Sequence, residues 1–466
     1  SAAARARRID AQAEIIMVEK GPHVSFSNCS LPYYLSGTVE DSEALIMMSP
    51  EKFKKSYDID ARVNQEVTAI HRDRKTIEVK DVSTGVTREE AYDVLVLAPG
   101  AAPIRPKSIK GADRPEVYTI RNVVDIIRLK EGVASGEIRD VAVIGGGFIG
   151  IETAENLRKL GKQVTVIEAM DQILAPLDYD FVQMVQKEMM DHGVQVIVGD
   201  GVKEIDGSQV LLASGKAVPA QAVVLAIGVA PETGLARQAG LEIGETGGIK
   251  VDHNYRTSDE NIYAVGDAIE VFQQLTQKPG RLALAGPALR QARAAADSMY
   301  GRPCANKGVI GSCAIRVFDL NIAATGLNEK AARKAQIPYD FAYVIPSDKV
   351  GIMPQSAPMH FKLLFQVPTG KILGAQAIGK GNVDKRVARD VVNQAGLVAS
   401  NLLNGYYRQV PVSKVRQLVE EHAFIVDVRE EHEYQAGHLI NSVNIPLSQL
   451  RERTDEIPKD RPVYIH

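Results

Sequence analysis

Short apolar runs separated by turns and amphipathic stretches predict a chain built largely from strand–helix–strand units. Two of these runs, residues 92–99 and 222–227, are almost wholly apolar, and each ends at a glycine, Gly100 or Gly228. Runs of this kind are typical of strands buried on both faces of a parallel sheet. Residues 62–99 instead alternate apolar and polar positions around a turn at 83–85, which predicts a β-meander.

The pattern changes near residue 310. Strands are predicted at 313–324, 337–345, 359–367 and 371–378, with helices near 328–335 and 391–404. This order is typical of a separate α+β domain, and a further helix is predicted just before it, at 286–300. A helix-then-strand pattern restarts at residue 413 and continues to residue 466, which indicates one more small α/β domain.

Residues 140–168 contain the most specific motif of the chain. An apolar run leads into Gly145-x-Gly147-x-x-Gly150, a helical stretch follows, and a second apolar run ends at Glu168. This is the dinucleotide-binding fingerprint, in which the glycines permit a tight turn and a close approach of the backbone to a pyrophosphate. In such a unit the carboxylate at the position of Glu168 accepts hydrogen bonds from the ribose hydroxyls, which favours NADH over NADPH. The alternative is a glycine-rich turn without a ligand.

A second unit of the same kind is indicated near the start of the chain. Residues 1–8 read as a helix, and the apolar run 13–19 follows it and ends at an acid, Glu19. This is the back half of a dinucleotide-binding unit, and we expect its glycine-rich turn upstream of residue 1.

Composition narrows the class of protein. With 466 residues, about three domains are expected. The net charge of −3 gives no broad field for nucleic acid or membranes, and no apolar run approaches the ~20 residues of a membrane span. Three cysteines, Cys29, Cys304 and Cys313, make no disulfide framework and fit a reducing cytoplasm, where a notable cysteine is more often catalytic. We predict no metal site.

Together with Gly266-Asp267, which follows a short apolar run, these two units resemble the glutathione-reductase superfamily of FAD-dependent pyridine nucleotide-disulfide oxidoreductases. The resemblance implies an α/β fold with two Rossmann-like dinucleotide-binding domains, for FAD and NAD, an α+β dimerisation domain and a partial rhodanese-like α/β domain. The expected boundaries are 1–106 and 234–305 for the FAD-binding domain, 107–233 for the NAD(P)H-binding domain, 306–404 for the dimerisation domain and 411–466 for the rhodanese-like domain.

The segment around Cys29 indicates which branch of this superfamily the chain resembles. Residues 25–34 read SFSNCSLPYY, with Cys29 alone where glutathione-type enzymes carry a Cys-x4-Cys pair. This string is similar to the single-cysteine branch, and specifically to coenzyme A-disulfide reductases and their persulfide-reducing relatives. The resemblance implies that Cys29 is the redox-active residue. The alternative is a buried structural cysteine, and Cys304 and Cys313 are interpreted as ordinary thiols.

The last 50 residues carry a second resemblance. Asp427-Val-Arg429, Gly437-His-Leu439 and Asn444-Ile-Pro446 resemble a rhodanese domain. In that family a catalytic cysteine would be expected just after His466.

The resemblance also implies the remaining site residues. The expected cofactor contacts are Glu19, Lys20, Val67, Gly100, Gly145, Gly147, Phe148, Ile149, Gly150, Glu152, Glu168, Gly228, Asp267 and Ala285. The expected substrate contacts are Ser1, Arg5, Arg8, Ser25 and Asn28. Ser1, Arg5 and Arg8 share one helix face, which could equally be a solvated face. Asp267 has an alternative role as a turn carboxylate, Glu152 as a first-turn helix acid, and Phe148 as a core side chain.

The resemblance implies a cytoplasmic homodimer that uses FAD and NADH, with NADPH as an alternative, to reduce coenzyme A disulfide or a coenzyme A persulfide or polysulfide. It implies no nucleic-acid or membrane partner. Two departures weigh against turnover: Ile352-Met353-Pro354 stands where the family has a tyrosine pair, and a second tyrosine segment is missing near 387–389. An NADH peroxidase or oxidase and a non-catalytic binder of coenzyme A or sulfane sulfur are the competing hypotheses.

Overall fold

The computed structural model describes residues 1–303, 308–349, 354–381 and 391–466, without the side chains of residues 391, 393 and 394. The chain divides into two compact units, Ser1–Ala399 and Ser400–His466. They are described separately, in chain order.

The first hundred residues contain short helices and strands around a meander. The elements are α1 (Ala2–Ile9), β1 (Ile16–Val18), β2 (Ser25–Phe26), α2 (Leu31–Leu35), β3 (Ile46–Met48), α3 (Pro50–Tyr57), β4 (Asp60–Arg62), β5 (Gln65–His71), β6 (Thr76–Asp81), β7 (Thr87–Ala91), β8 (Leu95–Leu97) and β9 (Ala101–Pro103). Strands β5, β6 and β7 form an antiparallel sheet in that order, so the predicted meander is confirmed. Strand β1 pairs in parallel with β4.

The glycine fingerprint lies in a five-stranded parallel sheet. This region contains β10 (Val117–Tyr118), α4 (Val123–Ala134), β11 (Asp140–Ile144), α5 (Phe148–Lys159), β12 (Gln163–Glu168), α6 (Tyr179–Asp191), β13 (Val194–Val198), β14 (Val202–Ile205), β15 (Gln209–Leu212), β16 (Ala217–Pro219), β17 (Ala222–Leu225) and β18 (Val229–Pro231). The sheet has the order β10-β17-β11-β12-β13, and all its pairs are parallel. The predicted strand–turn–helix–strand unit is confirmed, with helix α5 between β11 and β12.

Residues 234–303 pack with the first hundred residues of the chain, through a strand that pairs with β8. They contain α7 (Gly234–Gln238), β19 (Ile262–Ala264), β20 (Val271–Gln273), β21 (Lys278–Gly280) and α8 (Ala285–Met299). Strand β19 pairs in parallel with β8, so Gly100 and Asp267 both follow the carboxyl ends of neighbouring strands. Ligands of open α/β sheets bind at such ends.

The next region forms an antiparallel sheet with the order β22-β23-β26-β25-β24. Its elements are β22 (Ser312–Val317), β23 (Leu320–Gly326), α9 (Glu329–Lys334), β24 (Tyr339–Val344), β25 (Met359–Gln366), β26 (Ile372–Gly379) and α10 (Val391–Leu403). The single strand predicted over 313–324 is wrong, because the chain reverses at Phe318-Asp319 and forms a hairpin. Phe318 has a φ of +49°, a conformation that is rare for a bulky residue and that local pattern does not predict.

One hydrophobic core joins α2, α4, α5 and α6 to the β22–β26 sheet. It includes Leu31 and Leu35 of α2, Ile151 of α5, Phe181 of α6 and Ile322 of β23. The loop that carries Cys29 is thereby held on the helix that follows the glycine fingerprint.

The second unit is a small parallel α/β arrangement. It contains α11 (Val415–Glu420), β27 (Phe424–Asp427), α12 (Glu431–Ala436), β28 (Val443–Asn444) and β29 (Val463–Ile465), with the strand order β28-β27-β29. The predicted helix-then-strand pattern is confirmed. Among all the described residues of the chain, none forms a helix with the length and apolar character that crossing a membrane requires.

Candidate active site

Cys29 lies in a short 3₁₀ helix, Asn28–Ser30, that runs directly into α2. The loop is fixed by a backbone hydrogen bond of 2.9 Å from Ser27 N to the Leu45 carbonyl and by a 2.8 Å contact between the hydroxyls of Ser27 and Ser30. Cys29 is exposed, so the alternative of a buried structural cysteine is wrong. Asn28 is exposed beside it, and Ser25 is half-buried in β2.

The other cysteines do not share this environment. Cys313 lies half-buried in β22, and its burial raises the pKa of its thiol, which makes the reactive thiolate harder to form. Cys304 lies outside the described residues, as do Ile352, Met353 and the 387–389 segment.

Helix α2 is tied to α5 by a polar chain as well as by the core. The Ser36 hydroxyl donates to Asn156 Oδ1 at 2.7 Å, and Asn156 Nδ2 donates to the Glu152 carbonyl at 2.8 Å. The cysteine-bearing segment and the predicted nicotinamide-binding helix are therefore one packed structure.

The glycine-rich turn has the geometry that a dinucleotide requires. Gly145 has a φ of +110°, and a Cβ there would lie 2.4 Å from the Ala226 carbonyl oxygen. A Cβ at Gly150 would lie 2.0 Å from the Gly145 carbonyl oxygen, so this glycine permits the close packing of helix on strand. At Gly147, the N-cap of α5, no atom lies within 4 Å of the Cβ position, which leaves room for a ligand at the helix N-terminus. The residues present fit a bound dinucleotide.

Glu168 lies at the mouth of this turn. Its carboxylate accepts a hydrogen bond of 2.7 Å from Gly146 N and one of 2.8 Å from Met170 N. Of the other predicted contacts, Phe148 is half-buried against the core, Ile149 is 40% exposed, and Gly228 has a φ of +113°.

Of the predicted flavin contacts, Glu19 and Lys20 follow β1, Val67 lies in β5 and Gly100 follows β8. Glu19 accepts the Gly21 N–H at 2.7 Å, and Lys20 is exposed and pairs with Glu66 at 2.7 Å. Val67 is half-buried in β5, and Gly100 has a φ of +74° with no atom within 4 Å of its Cβ position.

Asp267 lies beside the N-terminal half of α8, the helix that begins at the exposed Ala285. Gln291 of this helix accepts the Gly266 N–H at 2.8 Å. Burial raises the pKa of Asp267, and its carboxylate accepts no hydrogen bond from the described residues. As a turn carboxylate, Asp267 would accept a hydrogen bond from a nearby donor, and no described residue supplies one. The hydroxyl groups of a flavin cofactor would supply such a donor. The residues present fit FAD.

The predicted substrate face is only partly free. Arg5 donates to Asp297 of α8 at 2.9 and 2.6 Å, so its guanidinium already holds α1 against α8. Arg8 is exposed, with its guanidinium 6.0 Å from the Tyr57 ring centre, and Ser1 is exposed.

Glu152 of α5 has an unusual environment. Burial and then the charge of Glu155 raise its pKa to about 7. Burial also raises the pKa of the Tyr33 phenol, in α2. Glu152, Glu155 and Cys29 raise this pKa further, whereas Arg316 lowers it. Sequence reasoning missed Tyr33 and Glu155. The signal that could have found Glu155 is its spacing of three residues from Glu152, which places both acids on one helix face.

A buried charge cluster, also missed, joins α6 to the β22–β26 sheet. Lys362 Nζ lies 3.2 Å from Asp178, 3.1 Å from Asp180 and 2.6 Å from Glu329, and the lysine side chain is 3% exposed. Burial by itself lowers the pKa of Lys362, but the three carboxylates together outweigh it, so the pKa is raised. This cluster is a structural contact between the two regions.

Within the described part of the chain, Glu188, His192 and Asp319 could offer ligand atoms to a metal ion. Hydrogen bonds already engage part of this group, because Asp319 N donates to Glu188 Oε1 at 3.1 Å and His192 Nδ1 lies 2.9 Å from the Glu188 carbonyl oxygen. The His192 ring stacks on Phe318 at 4.1 Å. These contacts account for the group as packing between α6 and the β22–β23 turn.

In the second unit, the rhodanese-like motifs meet around Asp427. Arg429 Nη2 donates to the buried Asp427 carboxylate at 2.6 Å and to the Gly437 carbonyl at 2.8 Å. Asn444 Nδ2 donates to the carbonyls of Asp427 and Arg429 at 3.0 and 2.9 Å. The Arg429 guanidinium lowers the pKa of Asp427 to about 2.

Family models match nearly the whole chain. The pyridine nucleotide-disulphide oxidoreductase model matches residues 1–292, its dimerisation-domain model matches 313–403, and the rhodanese-like domain model matches 412–466.

Individual relatives match with similar breadth. The chain is 29% identical over 394 residues to the coenzyme A disulfide reductase of Staphylococcus epidermidis, covering 84% of this chain and 88% of the relative. Among solved structures, the reduced Bacillus anthracis CoADR-RHD is 40% identical with a TM-score of 0.96, covering 100% of this chain and 89% of that one. An NAD-dependent persulfide reductase from A. fulgidus is 33% identical with a TM-score of 0.93, covering 100% and 91%.

Proposed function

We propose that this chain, which belongs to the pyridine nucleotide-disulphide oxidoreductase family, uses NADH to reduce coenzyme A disulfide or a coenzyme A persulfide through Cys29. The single observation that carries the proposal is the exposed Cys29 in the segment that leads into α2, a helix packed on α5. Two relatives support this substrate class: one is named a coenzyme A disulfide reductase and the other an NAD-dependent persulfide reductase.

The sulfur chemistry follows from a single protein thiol. The thiolate of Cys29 attacks one sulfur of the substrate, so that a mixed disulfide forms and the other sulfur leaves as coenzyme A thiolate or, from a persulfide, as hydrosulfide. Two electrons from NADH then cleave the mixed disulfide, so that the bound half leaves as coenzyme A thiolate and the Cys29 thiolate is restored. FAD, when bound, supplies the two-electron relay between NADH and sulfur. Glu19, Gly100 and Asp267 are the residues proposed to hold it.

On the nicotinamide side, the turn at Gly145–Gly150 and the N-terminus of α5 bind the pyrophosphate. Glu168 accepts hydrogen bonds from ribose hydroxyls and repels a 2′-phosphate, so NADH is preferred over NADPH. On the substrate side, Ser25 and Asn28 are proposed to hold the pantetheine end, and Ser1 and Arg8 the phosphates. Arg5 binds a phosphate only if its guanidinium first releases the Asp297 carboxylate.

The assembly proposed is a homodimer. Its support is the dimerisation-domain model over 313–403 and the exposed apolar side chains of that region, such as Ile345, Ile372 and Leu397, which are 53%, 62% and 66% exposed.

The test is anaerobic NADH oxidation by the FAD-loaded protein with a panel of acceptors. Coenzyme A disulfide and coenzyme A persulfide are expected to be the best acceptors, and a small unrelated disulfide a poor one. Peroxide or oxygen as the preferred acceptor would favour the peroxidase or oxidase hypothesis. No turnover with any acceptor, despite reduction of the flavin by NADH, would favour the non-catalytic binder.

A further inference from the structure

A groove lies where the C-terminal ends of α5 and α6 meet the turn between β22 and β23. Its volume is about 450 Å³, which is within the range of about 300–1,000 Å³ that small-molecule sites occupy. Its lining residues are mostly cationic or aromatic: Arg158, Lys159, His192, Arg316, Phe318 and Asp319. The fingerprint turn is at the other end of α5, roughly 17 Å away along the helix axis, so the groove is a separate place in the fold.

Two guanidinium groups of this groove are held in place without a carboxylate. Arg158 Nε donates to the His192 carbonyl at 3.0 Å, and its Nη1 donates to the Lys162 carbonyl at 3.2 Å. Arg316 Nε donates to the Phe318 carbonyl at 2.8 Å. Within the part of the chain that the structure describes, neither arginine forms an ion pair with an acid. Backbone carbonyls therefore fix the two groups while their positive charges stay uncompensated.

The other charged groups at the groove are already engaged. Lys159 Nζ lies 2.5 Å from Glu155 Oε1, and Asp319 Oδ2 lies 3.8 Å from Lys380 Nζ. Glu188 is buried, accepts the Asp319 N–H at 3.1 Å and does not line the groove. The excess charge of the lining therefore belongs to the two guanidinium groups.

The His192 ring gives the same groove a flat surface. It stacks on the buried Phe318 with ring centres 4.1 Å apart and 9° between the ring planes. Its Nδ1 lies 2.9 Å from the Glu188 carbonyl oxygen, so two contacts fix the orientation of the ring. The His192 side chain is nevertheless 38% exposed, which leaves room for a second ring to stack on it.

We propose that this groove binds a phosphate group of a small anion, with Arg158 and Arg316 as its ligands. A planar guanidinium presents paired N–H donors that match the oxygens of a phosphate, and pairing with an anion compensates the two charges. The bound phosphate joins α5 to the β22–β23 turn. No step of the proposed reductase reaction uses this site, so the inference does not rest on the proposed function.

The test is calorimetric titration of the FAD-loaded protein with inorganic pyrophosphate. Saturating NAD⁺ is present throughout, so that the fingerprint site is occupied. The wild-type affinity is expected to fall by about tenfold or more in Arg316→Gln and in Arg158→Gln, because each change removes a charge-assisted contact. It is also expected to fall as the salt concentration rises. The matched control is Arg74→Gln, at an exposed arginine that pairs with Glu89 at 3.0 Å, and this variant should keep the wild-type affinity.

A second titration, with ADP, distinguishes a nucleotide from a free phosphate as the source of the group. Tighter binding of ADP than of pyrophosphate, with the advantage lost in His192→Ala, would support the site as one for a nucleotide whose base stacks on His192. Equal affinities for the two probes, both unchanged in His192→Ala, would support a site for the phosphate group alone.

The outcomes also separate this inference from the reductase proposal. Pyrophosphate affinity that is the same in the wild type, Arg158→Gln and Arg316→Gln would overturn the inference, and so would an equal loss in Arg74→Gln. Neither result bears on the reduction of disulfides, which the acceptor panel tests. If Arg158→Gln does not fold because it loses its contacts with two carbonyls, Arg316→Gln still decides, with its Tm in the absence of anion as the check on folding.

Discussion

The carboxylate of Glu168 accepts a 2.7 Å hydrogen bond from the backbone N–H of Gly146, which fixes the last residue of β12 against the glycine-rich turn. A second hydrogen bond, from Met170 N, holds the same carboxylate in place. An ionised carboxylate has about four acceptor sites, so it can still accept from ribose hydroxyls. The side chain that we propose for cofactor selectivity is therefore also the one that holds the shape of the turn.

Replacing Glu168 by alanine is expected to narrow the preference for NADH. The wild type should favour NADH over NADPH by about tenfold or more in kcat/KM, which corresponds to ~1.4 kcal/mol, because the carboxylate repels a 2′-phosphate. Steady-state kinetics with both cofactors measures the ratio. Glu137→Ala, at an exposed acid of the same region, is the control and should keep the wild-type ratio. Equal wild-type kcat/KM values would contradict the prediction.

Replacing Cys29 by serine is expected to abolish turnover with disulfides while NADH still reduces the bound flavin, since hydride transfer does not involve the sulfur. The reduced wild type should show a long-wavelength thiolate-to-flavin charge-transfer band that Cys29→Ser lacks. Stopped-flow absorbance measures both. Disulfide reductase activity retained in Cys29→Ser would mean that electrons leave by another route.

Cys313→Ser is the matched control for that experiment. Its thiol is half-buried and its pKa is raised, so it should contribute nothing to the transition state. We expect kcat within about a factor of two of the wild type, and the same for Cys304→Ser.

We expect the dimer to be obligatory for activity. The region 313–403 matches a dimerisation domain and exposes Ile345, Ile372 and Leu397. Light scattering during dilution, with activity measured in parallel, should show activity lost as the dimer dissociates. A monomer that retains full activity would refute this prediction.

Lys362→Met is expected to destabilise the first unit strongly. The change removes the only described cation that pairs with Asp178, and it leaves Asp180 without its ion-pair partner among the described residues. Breaking a buried ion pair costs roughly 3–5 kcal/mol, because charges remain in a poorly solvated place. Lys330→Met is the control: Lys330 is 54% exposed and pairs with Asp171, and exposed pairs contribute about 0–1 kcal/mol. Urea unfolding measures both, and equal losses would contradict the prediction.

The same lysine predicts a pH dependence. The pKa of Lys362 in the folded state is raised above the ordinary value of about 10.4. Its stabilising contribution is therefore complete below the ordinary value, and it is lost as the pH rises from there through the raised pKa of the folded state. The stability difference between wild type and Lys362→Met should therefore be constant from pH 7 to 9 and shrink at higher pH. A difference that grows at high pH would be inconsistent with this sign.

Much of the fold could be predicted because its signals are local. The spacing of Gly145, Gly147 and Gly150 between two apolar runs indicates strand, turn and helix in the order observed. The hairpin at Phe318 could not be predicted, since nothing in an apolar run indicates a bulky residue with positive φ. Its turn is held by a contact from Glu188, 131 residues earlier in the chain.

The site residues and the side-chain contacts between regions differ in the same way in how far the sequence predicts them. Cys29 and Glu168 stand in recognisable motifs, so their positions could be predicted. Lys362 and Asp178 lie 184 positions apart, and their contact depends on how two regions pack. The pairing of Arg5 with Asp297 is of the same kind, and it gives a structural role to a side chain that sequence alone assigned to the substrate.

Cys29 lies in the loop before α2, while Cys313, the other described cysteine, lies in β22. In an enzyme with a cysteine pair, the resolving thiol has a fixed effective concentration set by the fold. In the mechanism proposed for this chain, the second sulfur is supplied by a diffusing molecule. The fraction of protein that rests as a mixed disulfide is then governed by mass action, and it changes with the ratio of reduced to oxidised low-molecular-weight thiol around the protein. The oxidation state of this site is consequently a property of the thiol pool as much as of the polypeptide.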